Sequence, residues 1–167
     1  MTSSTLFDQL IIKLRTTADV SHLVHALEEF SENFYSPKTF EEQQHIFRKL
    51  PEDIGSILLT QIASVPVTQD NQIETKRVID ELLDKLKRCE SIKLTIAFSP
   101  NETTISLFSD WVKKNVKAEM LIDLQFDKSI VGGVMLISNG TYKDYSIRKK
   151  LSNLFQIQRN EISALLH

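Results

Sequence analysis

The sequence predicts an α+β protein: an N-terminal antiparallel helical bundle followed by a small strand-helix-three-strand meander-helix module. Three observations predict it. Apolar residues recur at helical spacing from residue 5 to about 88. From Ile92 to Phe98, and again from Met120 to Phe126, they alternate instead. Finally, two of the chain's four glycines, Gly132 and Gly133, are adjacent in a β-rich apolar run that ends in an Asn139-Gly140 turn. Glycine weakens a strand interior, so the pair predicts a bulge or a close backbone approach within a hairpin. On that reading Gly133→Val costs on the order of 1–3 kcal/mol.

The helical half divides at its breakers. Leu6, Phe7, Leu10, Ile11 and Leu14 share one face, and Val20, Leu23, Val24, Leu27, Phe30 and Phe34 form a longer stripe. Ser36-Pro37 ends that helix. Thr39 with Glu42 has capping-box spacing and opens a short helix through Ile46, Phe47 and Leu50. Pro51 fits the first position of the next helix, whose stripe is Ile54, Ile57, Leu58 and Ile62. After a connector at 65–69, Asp70 or Asn71 can cap a long helix with Ile79, Leu82, Leu83 and Leu86 inward. Short loops between amphipathic helices predict antiparallel neighbours.

In the second half Ile92, Leu94, Ile96 and Phe98 predict a half-buried strand. Ser99 to Glu102 has capping-box spacing with Pro100 at the first helical position. The stripe that follows is Ile105, Phe108, Val112 and Val116, with Trp111 beside it. Met120, Ile122, Leu124 and Phe126 alternate, then Ile130 to Ile137 extends to the two-residue turn, and Tyr142 to Tyr145 returns antiparallel. Ser146 can cap a last helix with Ile147, Leu151, Leu154, Phe155, Ile162 and Leu165 on one face. The predicted units are residues 1–89, ending in a long connecting helix from about 71, and residues 90–167.

Composition narrows the function. A net charge of −2 over 167 residues provides no overall basic field for nucleic acid or anionic lipid. Cys89, the single cysteine, excludes an intrachain disulfide and a multi-cysteine metal site. No apolar run approaches the roughly 20 residues that span a bilayer. The first residues lack a basic leader pattern, which predicts an intracellular chain. Gly132-Gly133 is not a phosphate loop, because a strand rather than a helix follows. His22, His25 and Glu29 can share a helix face at metal-ligand spacing, but a solvated polar face is the simpler reading. Lys85, Lys87 and Arg88 suit a helix C-terminus. Arg148, Lys149 and Lys150 oppose the dipole at a helix N-terminus, which suggests an acidic partner there. The last apolar stripe also runs beyond what one four-stranded sheet covers.

Three stretches then align with one family. They are Ile96-Ala97-Phe98-Ser99-Pro100, Asp127-Lys128-Ser129-Ile130-Val131-Gly132-Gly133, and Lys143-Asp144-Tyr145-Ser146-Ile147-Arg148-Lys149-Lys150-Leu151. In order and spacing, residues 92 to about 156 resemble the C-terminal domain of the F-type ATP synthase delta subunit, the oligomycin sensitivity-conferring protein family. Tyr145 stands where that family usually has glycine, and the N-terminal half diverges. The resemblance implies a non-catalytic peripheral-stalk (stator) subunit with no cofactor and no catalytic or metal residues. It implies that the chain links the catalytic headpiece, through N-terminal segments of alpha subunits, to the C-terminal helices of b subunits. It implies neither nucleic acid nor direct membrane insertion, with the chain peripheral on the inner face of a bacterial plasma membrane. Arg148, Lys150, Ile157, Ile162 and Leu165 are the candidate partner-binding residues. Asp127, Gly132, Gly133, Asn139, Gly140, Asp144 and Ser146 form the structural motif. A helical adaptor sharing only the C-terminal module is the competing reading, and a small enzyme or metal protein a weaker one.

Overall fold

Helix α1 (Ser3–Lys13) turns through a short corner into α2 (Thr17–Glu32). The turn is held by a reciprocal capping box that the sequence carried in plain sight. Thr16 Oγ1 accepts from the Asp19 amide at 3.1 Å, and Asp19 Oδ2 accepts from the Thr16 amide at 2.9 Å. The computed structural model describes residues 3–32, 45–63, 69–130, 132–138 and 140–165, with side chains of the last helix described through Gln158. The expected break at Ser36-Pro37 and the capping box at Thr39 and Glu42 lie outside the described residues.

Residues 45–47 are helical and set Phe47 against Phe30, ring centroids 4.7 Å apart. Helix α3 (Glu52–Leu58) continues into a π-helical turn, Leu59–Ala63. Pro51 is the cap of α3 rather than its first residue. Its carbonyl accepts from the amides of Ile54 and Gly55, a task for which proline's missing N–H is no handicap. Gly55 is required by a close approach: a Cβ there would lie 2.7 Å from the Phe47 carbonyl oxygen. Helix α4 (Gln69–Lys87) already includes Asp70 and Asn71, so neither is its cap. Its stripe, Ile79, Leu82, Leu83 and Leu86, is buried with Leu10, Leu14, Leu23 and Leu27 in one apolar cluster.

The second half contains β1 (Ser91–Ile96), α5 (Glu102–Asn115), β2 (Leu121–Phe126), β3 (Val134–Ser138), β4 (Thr141–Asp144) and α6 (Ile147–Leu165). The mixed α+β class and the order of elements agree with the sequence reading; the strand pairing does not. The sheet order is β2-β1-β3-β4, with β1 parallel to β2 and antiparallel to β3. Among the described residues there is no three-strand meander. The physical reason is the helix between β1 and β2: a βαβ crossover returns the second strand parallel beside the first. The chain must then pass to the free edge of β1 before β3 can pair. Only β3 and β4 form a hairpin.

Helix α5 is capped by Asn101, not Ser99. The Asn101 carboxamide oxygen accepts from the Thr104 amide at 2.9 Å, which leaves Pro100 outside the helix. Its buried face is Ser109 and Val112, while Val116 is 46% exposed. Strand β2 is covered from two sides. Leu121 belongs to the bundle's apolar cluster, and Ile122 to the cluster between sheet and α5. The outer edge of β2 is protected as well, because Thr16 bridges to Ile122, whose amide donates to the Arg15 carbonyl at 3.0 Å.

Candidate functional site

The described motif residues Asp127, Ser129, Ile130, Gly132 and Gly133 converge with residues 144–147 on one corner. Two Asp-x-Ser turns mirror each other there: the Ser129 amide donates to Asp127 Oδ1 and the Ser146 amide to Asp144 Oδ1, both at 2.8 Å. The Ile147 amide donates to the Gly132 carbonyl at 2.8 Å, and the Tyr145 amide to the Val134 carbonyl at 2.9 Å. Gly133 has φ +91°, and a Cβ there would come within 2.5 Å of the Tyr145 carbonyl oxygen. The glycine pair therefore precedes β3 instead of bulging from its middle. Ser146 is buried and caps α6, its Oγ accepting from the Lys149 amide at 3.3 Å. Gly140 has φ +74°, as a tight hairpin turn needs; Asn139 lies outside the described residues.

The corner carries charge. Hydrogen bonds from Ser129 hold the Asp127 carboxyl below its ordinary 3.8, with Arg148 adding to the effect. Hydrogen bonds from Ser146 do the same for Asp144, aided by Tyr142 and Lys149. A carboxylate with a depressed folded value stabilises above its unfolded value and ceases to do so as pH falls through the folded one. The expected result is that carboxyl ¹³C titrations of Asp127 and Asp144 have midpoints below 3.8, with the melting temperature dropping as pH falls through them. Midpoints at or above 3.8 would contradict the turn geometry.

Beside this corner the sheet is only half covered. Helix α5 packs against β2, and the register puts Val134 and Leu136 on the same face as Ile96 and Leu94. Toward β3 and β4 that face is only part-closed: Val134 and Leu136 are half-buried, and Thr141 and Lys143 are exposed. The result is an apolar groove of about 780 Å³. Its floor is Ile92, Leu94, Val134 and Leu136, one wall is Leu107, Phe108, Trp111 and Val116, and Lys143 and Tyr145 line the β4 side. Leu107 and Trp111 are exposed by 66% and 53%. Two residues after Tyr145 begins α6, whose Ile147, Leu151, Leu154, Phe155 and Ile157 are all exposed. The sheet therefore buries less of this stripe than its spacing suggested.

Among the predicted partner-binding residues, Arg148, Lys150 and Ile157 are exposed on α6, while the side chains of Ile162 and Leu165 lie outside the described residues. The groove was missed from sequence, although Trp111 beside an α5 stripe was its signal. Two lysines of the other basic cluster are used internally. Lys87 pairs with Glu28 at 2.7 Å, and the Lys85 ammonium lies 5.9 Å from the Phe7 ring centroid. Glu29 pairs with Lys49 at 3.6 Å rather than joining His22 and His25. Burial raises the Cys89 thiol above its usual range, which disfavours the reactive thiolate.

A helical bundle joined to a mixed four-stranded sheet, with an apolar groove and an exposed apolar helix face beside it, presents surfaces of the kind that mark protein interaction sites. The family model for the ATP synthase delta (OSCP) subunit matches residues 14–157, and the chain belongs to that family. It is thereby a structural subunit of the ATP synthase peripheral stalk. The match begins at the corner between α1 and α2, which removes the ground for an adaptor sharing only the C-terminal module. Among solved structures, a chain in the Toxoplasma gondii mitochondrial ATP synthase hexamer is similar over 93% of this chain and 94% of that one, at 14% identity and TM-score 0.36. No curated protein matches this chain significantly.

Proposed function

We propose that the chain links the catalytic headpiece to the stalk formed by b subunits, with the half-covered sheet as the seat of a C-terminal helix of one b subunit. The observation that carries this reading is the groove over β3 and β4. A two-layer α/β module buries its sheet face under helices, and here Val134 and Leu136 are only half-buried, with Thr141 and Lys143 beside them exposed on the groove. An amphipathic helix from another chain supplies the missing layer, with anchors at i, i+3, i+4 and i+7. Leu107 and Trp111 offer exposed apolar area at its lip, and Arg148 and Lys150 on α6 offer charge for acidic residues of the incoming helix. The N-terminal bundle takes the other role, gripping N-terminal segments of alpha subunits.

Nothing in this scheme requires bond-making chemistry or a cofactor, so the proposed role is non-catalytic. No described helix is long and apolar enough to cross a membrane. The chain is expected to be held through its partners on the membrane face that carries the headpiece, which in a bacterium is the inner face of the plasma membrane.

Calorimetry tests the proposal, with peptides from the C-terminus of the b subunit and from the N-terminus of the alpha subunit as ligands. Trp111→Ser is expected to weaken b-peptide binding at least tenfold, or about 1.4 kcal/mol. Being half exposed, Trp111 should leave the melting temperature nearly unchanged when replaced. Undiminished b binding in Trp111→Ser and Leu136→Asp would remove the groove from the role. Binding of b without alpha would remove the headpiece contact of the first half.

A further inference from the structure

Among the described residues, Lys113 is the one place where the α+β module reaches into the bundle's backbone with a charge. It lies near the end of α5, and its Nζ donates to the carbonyls of Ile11, Ile12 and Leu14 at 3.0, 2.9 and 2.7 Å. An ammonium has three protons, and all three are committed here to one helix end. Those carbonyls belong to the last turn of α1 and the residue beyond it. They are groups that a helix terminus leaves without intrahelical partners, at the negative end of its dipole. The fit is reciprocal: α1 receives its C-terminal cap from a residue about a hundred positions later.

The same corner is tied at further points. Arg15 pairs with Glu102 at the start of α5 at 2.8 Å, the Ile122 amide donates to the Arg15 carbonyl at 3.0 Å, and Thr16 bridges to the β2 edge. The only covalent passage between the halves is the short segment from Arg88 to Glu90, between α4 and β1. A single passage of this kind is a hinge. A second tie, made by different elements, removes the rotation that a hinge allows.

We infer that Lys113 is a latch that, together with the seat of Leu121 in the bundle's apolar cluster, locks the bundle and the α+β module into one rigid body. Bending load applied to either half then passes through the α1–α2 corner into α5 and β2, in parallel with the 88–90 segment. This inference concerns the mechanics of the chain itself and does not depend on what fills the groove.

Pulsed electron-electron distance measurement on the full-length chain tests it, with spin labels at His22 in α2 and Thr141 in β4 and with Cys89→Ala to remove the native thiol. The unaltered latch should give one narrow distance distribution. Lys113→Met keeps most of the stem but removes every donor, and should broaden that distribution at least twofold while circular dichroism retains both helix and sheet. Lys113→Arg keeps the charge, but its planar fork does not match a three-carbonyl tripod, so an intermediate width is expected. Should Lys113→Met fail to fold, the arginine variant and the unaltered chain still decide. A broad distribution with Lys113 in place overturns the inference, as does a width that neither substitution changes.

Discussion

Gly133→Val is expected to cost on the order of 3–5 kcal/mol and to loosen the corner where the Asp144 turn meets the start of β3. The sequence alone suggested a smaller effect, because it could count only the backbone term. At φ +91° a branched side chain is strained wherever it sits. The structure adds a collision that cannot be relieved by a rotamer change. The Cβ would meet the Tyr145 carbonyl oxygen at 2.5 Å and the Ser146 Cα at 2.9 Å, and both atoms are backbone. Moving them breaks the Tyr145–Val134 hydrogen bond and disturbs the Asp144 turn that starts α6. Gly140→Ala is the matched comparison. It has φ +74° but nothing within 4 Å of a new Cβ, so only the conformational cost of about 1–2 kcal/mol applies. Urea denaturation of both variants checks the pair. Equal losses would mean that the approach of residues 145–146 to Gly133 is not what makes the glycine necessary.

Phe47→Ala should be comparably damaging, at about 3–5 kcal/mol. The ring is fully buried, pairs with Phe30, and lies in the cluster formed by α1, α2 and α4. The site has little freedom to collapse around the void. The Phe47 carbonyl already abuts Gly55, so its backbone cannot move toward α3 without a clash. The loss should appear as a lower denaturation midpoint with an unchanged slope, since the surface exposed on unfolding hardly differs. A midpoint shift worth less than about 1 kcal/mol would mean that the segment at 45–50 is not packed as described. Trp111 makes the contrast: it is also a large aromatic, but it stands half exposed on the groove, where removal should affect binding and not folding.

Much of the architecture was legible because it rests on local periodicity. The stripes of α1, α2 and α4 and the alternation of Ile92, Leu94 and Ile96 ended up buried among the described residues, with Phe7 and Val24 half-buried at the margin; Phe34 lies outside those residues. Ser146 caps α6 as its position suggested. The errors cluster where several local solutions compete. Ser99 and Asn101 are both competent caps, and spacing alone cannot say which oxygen meets a free amide. Alternation likewise reports that a strand is half buried without naming its neighbour. The meander was therefore a natural reading of three strands in succession, and the pairing of β1 between β2 and β3 overruled it.

The motif and the docking surface differ in the same way. Asp127, Gly132, Gly133, Asp144 and Ser146 stood out in the sequence because their residue types are chemically restricted. What they do is a matter of two turns, distant in sequence, sharing one corner. Leu107, Trp111 and Leu136 carry no such mark, since an apolar residue looks the same whether its face is covered or bare. Periodicity and residue type, both short-range properties, determined this protein's class, most of its helices and the glycine at residue 133. Only the folded chain decided that an apolar groove stays open beside β3 and β4 and that Lys113 holds the end of α1. Those outcomes depend on which distant segments meet, and no local pattern encodes that.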